Sequence, residues 1–420
     1  MKVIVVGGGI SGLTMAMSLH EIGVDVRVYE AARDVTPLGV GINLQPNAVR
    51  ELIELGLGER LAQIGIATEA LSFFNKFGQT VWSEKRGRAA GFAWPQYSIH
   101  RGRLQVMMIE ATRARIGDAL RTGHVFQKCI ERGDKIVANF ADRNGATVAE
   151  DEADILIGAD GIHSAVRRQF YPGEGEPNFA GQILWRAAVE TAPFLGGATM
   201  AIAGHFHQRI VAYPIAPAAN GKLLTNWIAQ MTVDTQAPPR EDWNRQVDKS
   251  RFIDAFRDWR FDWLDFPKLA DETAEIFEFP LVDRHPVERW SFGRVTLIGD
   301  AAHPMQPTGS QAGSQAIVDA RLLTAALLAA QDPVAALAAY DRTRRPVMND
   351  ITLRNRNFGP EAAMQLSEER APNGFQQIED VIPRAELEQI SRSFQQAAGL
   401  DPAGLNARPS LVPAGARYAS

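Results

Sequence analysis

The chain has 420 residues, too many for one ordinary core, which points to interlocked domains around a shared cleft. Hydrophobic residues at 45% and charged residues at 22% are globular values and exclude a chain disordered along its length. A net charge of -5 gives no global attraction to phosphate backbones or anionic lipid, and no apolar run reaches membrane-spanning length, so a small-molecule partner is expected rather than nucleic acid or membrane.

In chain order, Lys2 to Val6 is a continuous apolar run closed by Gly7, and a helix-like stretch from Ile10 to Ile22 leads into a β-branched run, Val24 to Tyr29. Together they predict a βαβ unit. Leu38 to Gln45 is glycine-rich and ends at Pro46, after which Asn47 is placed to cap a helix over Ala48 to Leu55. Leu104, Met107, Met108 and Ala111 recur at helical spacing within Arg103 to Ile116. From Val125 to Val148 the pattern alternates and breaks at Asn144-Gly145, a strong hairpin signal, and Ala153 to Ile157 reads as a buried strand ending in Gly158.

Between Pro172 and Arg289, the aromatic-rich runs Gln182 to Glu190, Arg209 to Ile215 and Leu223 to Met231 alternate as an antiparallel sheet would. A glycine-ended strand returns at Val295 to Gly299, and helices follow over Gln315 to Ala330 and Pro333 to Asn355. The Pro/Gly/Ala-rich tail after Leu400 is expected to be an irregular or mobile end. The single cysteine, Cys129, forms no intramolecular disulfide and suits a reducing compartment. With a strand starting beside Met1 and no leader pattern ahead of it, the cytoplasm is the expected location.

Gly7-Gly8-Gly9-Ile10-Ser11-Gly12 fits GxGxxG directly after a strand and at a helix start. Gly7 permits the tight turn, Gly9 lets backbone approach a pyrophosphate, and Gly12 lets helix and strand pack closely. The helix N-terminus supplies N–H groups and a positive dipole end to phosphate. Glu30, ending the second strand, can accept hydrogen bonds from both hydroxyls of an adenosine ribose, which suits NAD or the AMP half of FAD. The fold class expected is α/β (α+β). A Rossmann-like domain is assembled from both chain ends (1–171 and 291–356), with an inserted, mainly antiparallel sheet domain (172–290) and a C-terminal helix and tail (357–420).

Two later elements narrow the ligand. Gly158-Ala159-Asp160-Gly161-Ile162-His163-Ser164-Ala165-Val166-Arg167 resembles a GADGxxSxVR element, and Gly299-Asp300-Ala301-Ala302-His303-Pro304 resembles GDAAHP at another strand end. With the N-terminal glycines, in this order and at these separations, they resemble the group A FAD-dependent aromatic monooxygenases typified by p-hydroxybenzoate hydroxylase, over residues 1 to about 355. That resemblance implies non-covalent FAD, NADH or NADPH as transient reductant, O₂, and hydroxylation through a flavin C4a-hydroperoxide. The partners implied are a small aromatic substrate and the nicotinamide, in a monomer or homodimer.

The family's roles map onto this chain as follows. Gly7, Gly9, Ile10, Ser11, Gly12 and Glu30 would hold the ADP half of FAD, Arg101 (in the RxxL run Arg101 to Leu104) a phosphate, and Asp300 a ribityl hydroxyl. Asp160 and Gly161 would lie close to FAD, with Arg167 as the ion-pair partner of Asp160; a merely structural salt bridge is the competing reading. Gly39-Val40-Gly41-Ile42 resembles the loop along the isoalloxazine, where absent side chains let a flat ring approach. Pro307 would place its carbonyl beside the ring, and the segment with Gly309 and Gly313 would turn a helix N-terminus toward the reduced flavin, although Ala312 and Ser314 depart from the family's GxGxN.

His303 would tune proton supply, a structural hydrogen bond being the alternative. Trp185, Arg186 and Tyr213 sit in segments resembling the family's WR and YP strands, and aromatic walls with one guanidinium suit a planar, carboxylated substrate. Pro307, His303 and Tyr213 are the catalytic candidates, and no metal ligand set is expected.

Within the family, the runs Gly39 to Asn47, Val81 to Glu84 and Pro95 to Gly102 look closest to the phenazine hydroxylases, which implies NADH, O₂ and hydroxylation with or without coupled loss of a carboxylate. Salicylate-like and nitrogen-heterocyclic acids suit the same chemistry. The rival readings are an FAD-dependent reductase of an isoprenoid-like substrate and a non-catalytic flavin-binding redox sensor. A flavin halogenase is disfavoured because the chain has no WxWxIP signature.

Overall fold

The computed structural model describes residues 1–34, 40–235, 245–356, 361–397 and 399–419. The apolar run Lys2–Val6 lies inside a six-stranded sheet, paired in parallel with Asp25–Glu30 on one side and Ile155–Gly158 on the other. Beyond these neighbours lie Leu120–Thr122 and Val295–Leu297, also parallel, and Ser291–Phe292 closes one edge antiparallel. Strands covered on both faces have no use for polar alternation, which is why the central runs Val3–Val6 and Ile155–Gly158 are continuously apolar and buried, whereas Asp25–Glu30 nearer the edge alternates. Both ends of the chain thus build one sheet, as the glycine-ended runs implied.

The helices Ile10–Glu21, Arg101–Ile116 and Ala312–Ala329 share the core of this sheet with a three-stranded antiparallel sheet of Val125–Arg132, Lys135–Ala141 and Thr147–Ala153. In that sheet Phe140 stacks on Tyr29 with ring centroids 3.8 Å apart. Asn144-Gly145 makes the turn between the last two strands, with Gly145 at φ 85°. Two helix starts differ from expectation. Pro46–Glu54 begins before Asn47, because a proline at the first helical position lacks only an N–H that would go unpaired anyway. Arg101–Ile116 begins two residues before Arg103, with His100 Nδ1 accepting from the Arg103 N–H.

The second large sheet has seven strands and is not confined to 172–290. Its order runs Phe277–Asp283, Asn178–Thr191, Leu223–Thr232, Gln208–Pro217, Thr199–His205, and then Ala70–Phe74 and Thr80–Lys85 from the N-terminal part of the chain. Ala70–Phe74 joins Thr199–His205 in parallel, so the two parts are stitched together by main-chain hydrogen bonds. One face packs Trp185, Ala212 and Trp227 against Phe252, Phe256 and Phe266, while Leu184, Ile202, Val211 and Tyr213 belong to the other face. Side chains on a strand alternate, and both faces of this sheet are occupied.

The tail after Leu400 is ordered by contacts, contrary to its composition. Pro402–Ala407 is a helix whose preceding Asp401 accepts from the Gly404 N–H at 2.6 Å, and the Tyr418 N–H donates to the Ile22 carbonyl at 2.9 Å. Arg408 donates to Glu51 Oε1 at 2.5 Å, and the fully buried Arg321 reaches Glu51 Oε2 at 3.3 Å and Glu21 at 2.6 Å. Two guanidiniums therefore share one carboxylate that is 0% exposed. Arg408→Ala should lower stability by about 1.5–3 kcal/mol in urea unfolding, the range for a charged hydrogen bond lost from a buried partner; an unchanged midpoint would show the tail to be ornamental. No helix among the described residues is long and apolar enough to cross a membrane.

Candidate functional site

A cavity of about 710 Å³ lies between the glycine turns of the six-stranded sheet and one face of the seven-stranded sheet. Gly7, Gly9, Ile10, Ser11 and Glu30 line one end. Gly7 sits at φ 107°, and a Cβ there would lie 2.4 Å from the Ala159 carbonyl oxygen, so only glycine suits the turn. A Cβ on Gly9 would meet nothing within 4 Å, which leaves this backbone open to a ligand. The helix Ile10–Glu21 has no side-chain cap, so its positive N-terminal end faces the cavity. Gly12 stands behind this surface as a packing residue: its Cβ would fall 2.0 Å from the Gly7 carbonyl oxygen.

The Glu30 carboxylate is fixed by the N–H groups of Gly8 at 2.6 Å and Ala32 at 2.7 Å. Those bonds leave further lone-pair directions for ribose hydroxyls. His124, Phe126 and Gln105 join this end. Sequence reasoning missed them, since they come from a strand end and a helix flank that carry no motif.

Arg101 and Asp300 line the middle of the cavity. Burial lowers the Arg101 pKa and raises that of Asp300, and in each case the charge of the other opposes the shift. Asp160 is also cavity-lining, and burial raises its carboxyl against hydrogen bonds from Ser164 and the N–H groups of Ala165 and Val166. Ser164 caps the helix Ala165–Phe170 while Asp160 accepts from its first N–H groups, and the expected Arg167 partnership does not form. Arg167 pairs with Glu174 and donates to the carbonyls of Ala301 at 3.2 Å and Ala302 at 2.8 Å. It ties the two motif loops together from behind and does not line the cavity.

His303 is likewise displaced from the expected role. It is buried behind the cavity wall with Nε2 2.5 Å from Asp319 Oδ2, which makes it structural. Burial alone would raise Asp319, but His303 and Arg344 hold it down at about 2.

Pro307, Gly309 and Gly313 line the cavity with Gly161, Gly41 and Ile42. Gly309 at φ 68° and Ser310 at φ 54° give this loop its sharp left-handed bend, and the helix Ala312–Ala329 that follows has no side-chain cap. Gly41 and Gly313 are glycines for the protein's own packing. A Cβ on Gly41 would lie 2.7 Å from the Tyr213 ring, and one on Gly313 2.8 Å from Ile42 Cδ1. Gly39 lies outside the described residues. Ser314, where the family has asparagine, accepts from the Gln45 N–H at 2.9 Å and so anchors the helix start to the strand Gly41–Leu44.

On the sheet side, Arg186 and Tyr213 face the cavity, but Trp185 does not. Trp185 and Arg186 are neighbours on one strand and must point to opposite faces. The Trp185 indole stacks on Phe252 and donates to Glu278 at 2.9 Å. Arg186 donates to the Gly41 carbonyl at 3.1 Å and sits against the Tyr213 hydroxyl, whose pKa burial pushes up to about 12 against the pull of Arg186. Among the described residues Arg186 has no carboxylate partner, and its buried Nε has no hydrogen-bond acceptor. Leu184, Met200, Ile202, Val211 and Ile228 form apolar walls beside it.

Taken along its length, the cavity offers a helix N-terminus for phosphate, a fixed carboxylate for a ribose, an acid for a polyol, and a second helix N-terminus beside a flat apolar slot. That sequence of groups fits FAD.

A family model described as FAD binding domain matches residues 1–355. The phenazine 1,6-dicarboxylic acid hydroxylase of Lysobacter antibioticus is 42% identical over 362 residues, 84% of this chain and 89% of the relative. A 3-amino-4-hydroxybenzoate 2-monooxygenase of Streptomyces platensis is 32% identical over 371 residues, covering 86% of this chain and 88% of that one. Among solved structures, Klebsiella pneumoniae HpxO complexed with FAD and uric acid shares the fold, with a TM-score of 0.74 and 24% identity over 96% of this chain and 98% of that chain.

Proposed function

The chain belongs to the FAD binding domain family and is a flavin-dependent aromatic monooxygenase, and from that premise we propose that it hydroxylates a planar aromatic acid of phenazine- or salicylate-like shape, with NADH or NADPH as electron donor. The observation that carries the substrate reading is Arg186, a guanidinium without a carboxylate partner among the described residues, set at the edge of an apolar slot. A buried cation in that position is a receptor for an anionic group on an otherwise apolar ligand. The similarity to an enzyme named for a phenazine dicarboxylic acid supports the same reading.

Bound FAD supplies the electron transfer and oxygen activation that amino-acid side chains cannot perform. The chain's own residues do the rest. Glu30 and the N-terminus of Ile10–Glu21 hold the nucleotide end, and Asp300 holds the polyol. The N-terminus of Ala312–Ala329, approached through Pro307 and Gly309, would stabilise negative charge on a flavin held in this part of the cavity. Leu184, Ile202 and Val211 orient the substrate ring and exclude water, which protects the oxidising step from wasteful peroxide release. Tyr213 stays protonated across the physiological range, so its oxygen accepts from Arg186 and steadies that guanidinium while its O–H is left to donate to the substrate.

The test is a screen of aromatic acids, including phenazine-1-carboxylate, phenazine-1,6-dicarboxylate and salicylate, for stimulation of NADH and NADPH oxidation, with the product identified by mass. A product carrying one added oxygen, with or without loss of CO₂, is the expected outcome. Reduction of an added isoprenoid without oxygen uptake would favour a reductase instead.

A further inference from the structure

Among the described residues, three guanidiniums line the substrate half of the cavity: Arg86, Arg186 and Arg209. Two of them already carry a carboxylate from the chain. Arg86 is paired with Glu84, and Arg209, 6% exposed, is paired with Glu361, 7% exposed. Arg209 also donates from Nε to Gln230 Oε1 at 3.1 Å, and Gln230 donates onward to Gln182, so the guanidinium is fixed within the sheet. Glu361 comes from outside the matched residues 1–355, immediately before the helix Ala362–Arg370, yet it lines the cavity. It takes a second hydrogen bond from the Gly309 N–H, while Gln365 on the same helix accepts from the Phe206 N–H at 3.0 Å. One carboxylate thus spans the substrate sheet and the loop at the near edge of the flavin site.

We propose that Glu361 is a specificity-determining residue: by neutralising Arg209 it leaves Arg186, among the described guanidiniums of the substrate half, as the one available to a ligand anion, and so selects aromatic monocarboxylates over dicarboxylates. The inference rests on the reading of the cavity as an aromatic-acid site. A second ligand carboxylate would enter a low-dielectric slot whose remaining cations are already paired, and a buried charge without a counter-charge is strongly disfavoured. The Gly309 bond adds to the effect, since it holds Glu361 on Arg209 and makes displacement by a ligand carboxylate harder.

The experiment titrates FAD-loaded wild type and Glu361→Gln with phenazine-1-carboxylate and phenazine-1,6-dicarboxylate, reading affinity from the perturbed flavin absorbance. Wild type should bind the monocarboxylate more tightly. Glu361→Gln keeps the size of the side chain but frees Arg209, so its preference should move toward the dicarboxylate by about tenfold or more, the low end of measured couplings between close buried charges. Arg209→Met in the Glu361→Gln background should remove that gain, which a merely structural role for Glu361 would not produce. An unchanged preference in a flavin-loaded Glu361→Gln protein overturns the proposal alone. If no acid of the panel, the two phenazines and salicylate included, perturbs the wild-type flavin, the aromatic-acid reading falls and the proposal with it.

Discussion

Gly12→Val is expected to purify without its yellow cofactor. A Cβ at this position would sit 2.0 Å from the Gly7 carbonyl oxygen and 3.1 Å from its carbon, and both are backbone atoms of the turn. No rotamer relieves such an overlap, so the helix Ile10–Glu21 must move away from the strand Lys2–Val6. Its N-terminus then no longer presents N–H groups to the pyrophosphate. Losing two charge-assisted hydrogen bonds of about 1.5–3 kcal/mol each corresponds to a fall of about 100-fold or more in FAD affinity. The flavin absorbance of the purified variant, with circular dichroism to confirm folding, checks this; a fully loaded variant would refute the role given to the turn.

The second large effect belongs to Arg186. Arg186→Met preserves much of the apolar stem but removes the cation at the edge of the slot. With FAD still bound, kcat/KM for a carboxylated substrate should fall by about 30- to 5,000-fold, the factor equivalent to 2–5 kcal/mol for truncating one partner of a buried charge pair. A neutral analogue of the same ring should lose far less, because it never used the guanidinium. Equal losses for the two ligands would mean that Arg186 supports the cavity wall and does not receive the carboxylate.

Much of the nucleotide end was legible because its constraints are local. A glycine turn between a strand and a helix, and an acid at the end of the next strand, place Gly7, Gly9 and Glu30 on one surface without reference to the rest of the chain. The parts that were not legible depend on long-range geometry. Trp185 and Arg186 form a pair in sequence, but strand alternation sends them to opposite faces, and an aromatic layer covering the far face conceals which residue turns inward. His303 and Arg167 belong to motifs that approach the cavity, yet their side chains are drawn backward by Asp319 and Glu174.

The substrate end was the least visible. Arg209 lies on the face of Tyr213, four residues earlier on the same strand, and that period could have revealed it. Nothing in the sequence near Glu361 marks it as a cavity residue, because it reaches the site only through the packing of the helix Ala362–Arg370 on the sheet. The tail misled for a related reason. Its Pro/Gly/Ala content hides three anchoring points, Arg408, Ser410 and Tyr418, whose partners lie more than 350 residues away in the chain.

The central claim is that both ends of the chain hold FAD in one continuous cavity, and that an aromatic acid anchored by Arg186 occupies the slot past the ring. The most direct test runs the ligand-stimulated turnover under ¹⁸O₂ and weighs the product. One ¹⁸O atom per product molecule is expected, with oxidation of the nicotinamide matched to product formed. Oxidation that yields only hydrogen peroxide, or a product whose new oxygen comes from water, across the whole panel of aromatic acids would contradict it.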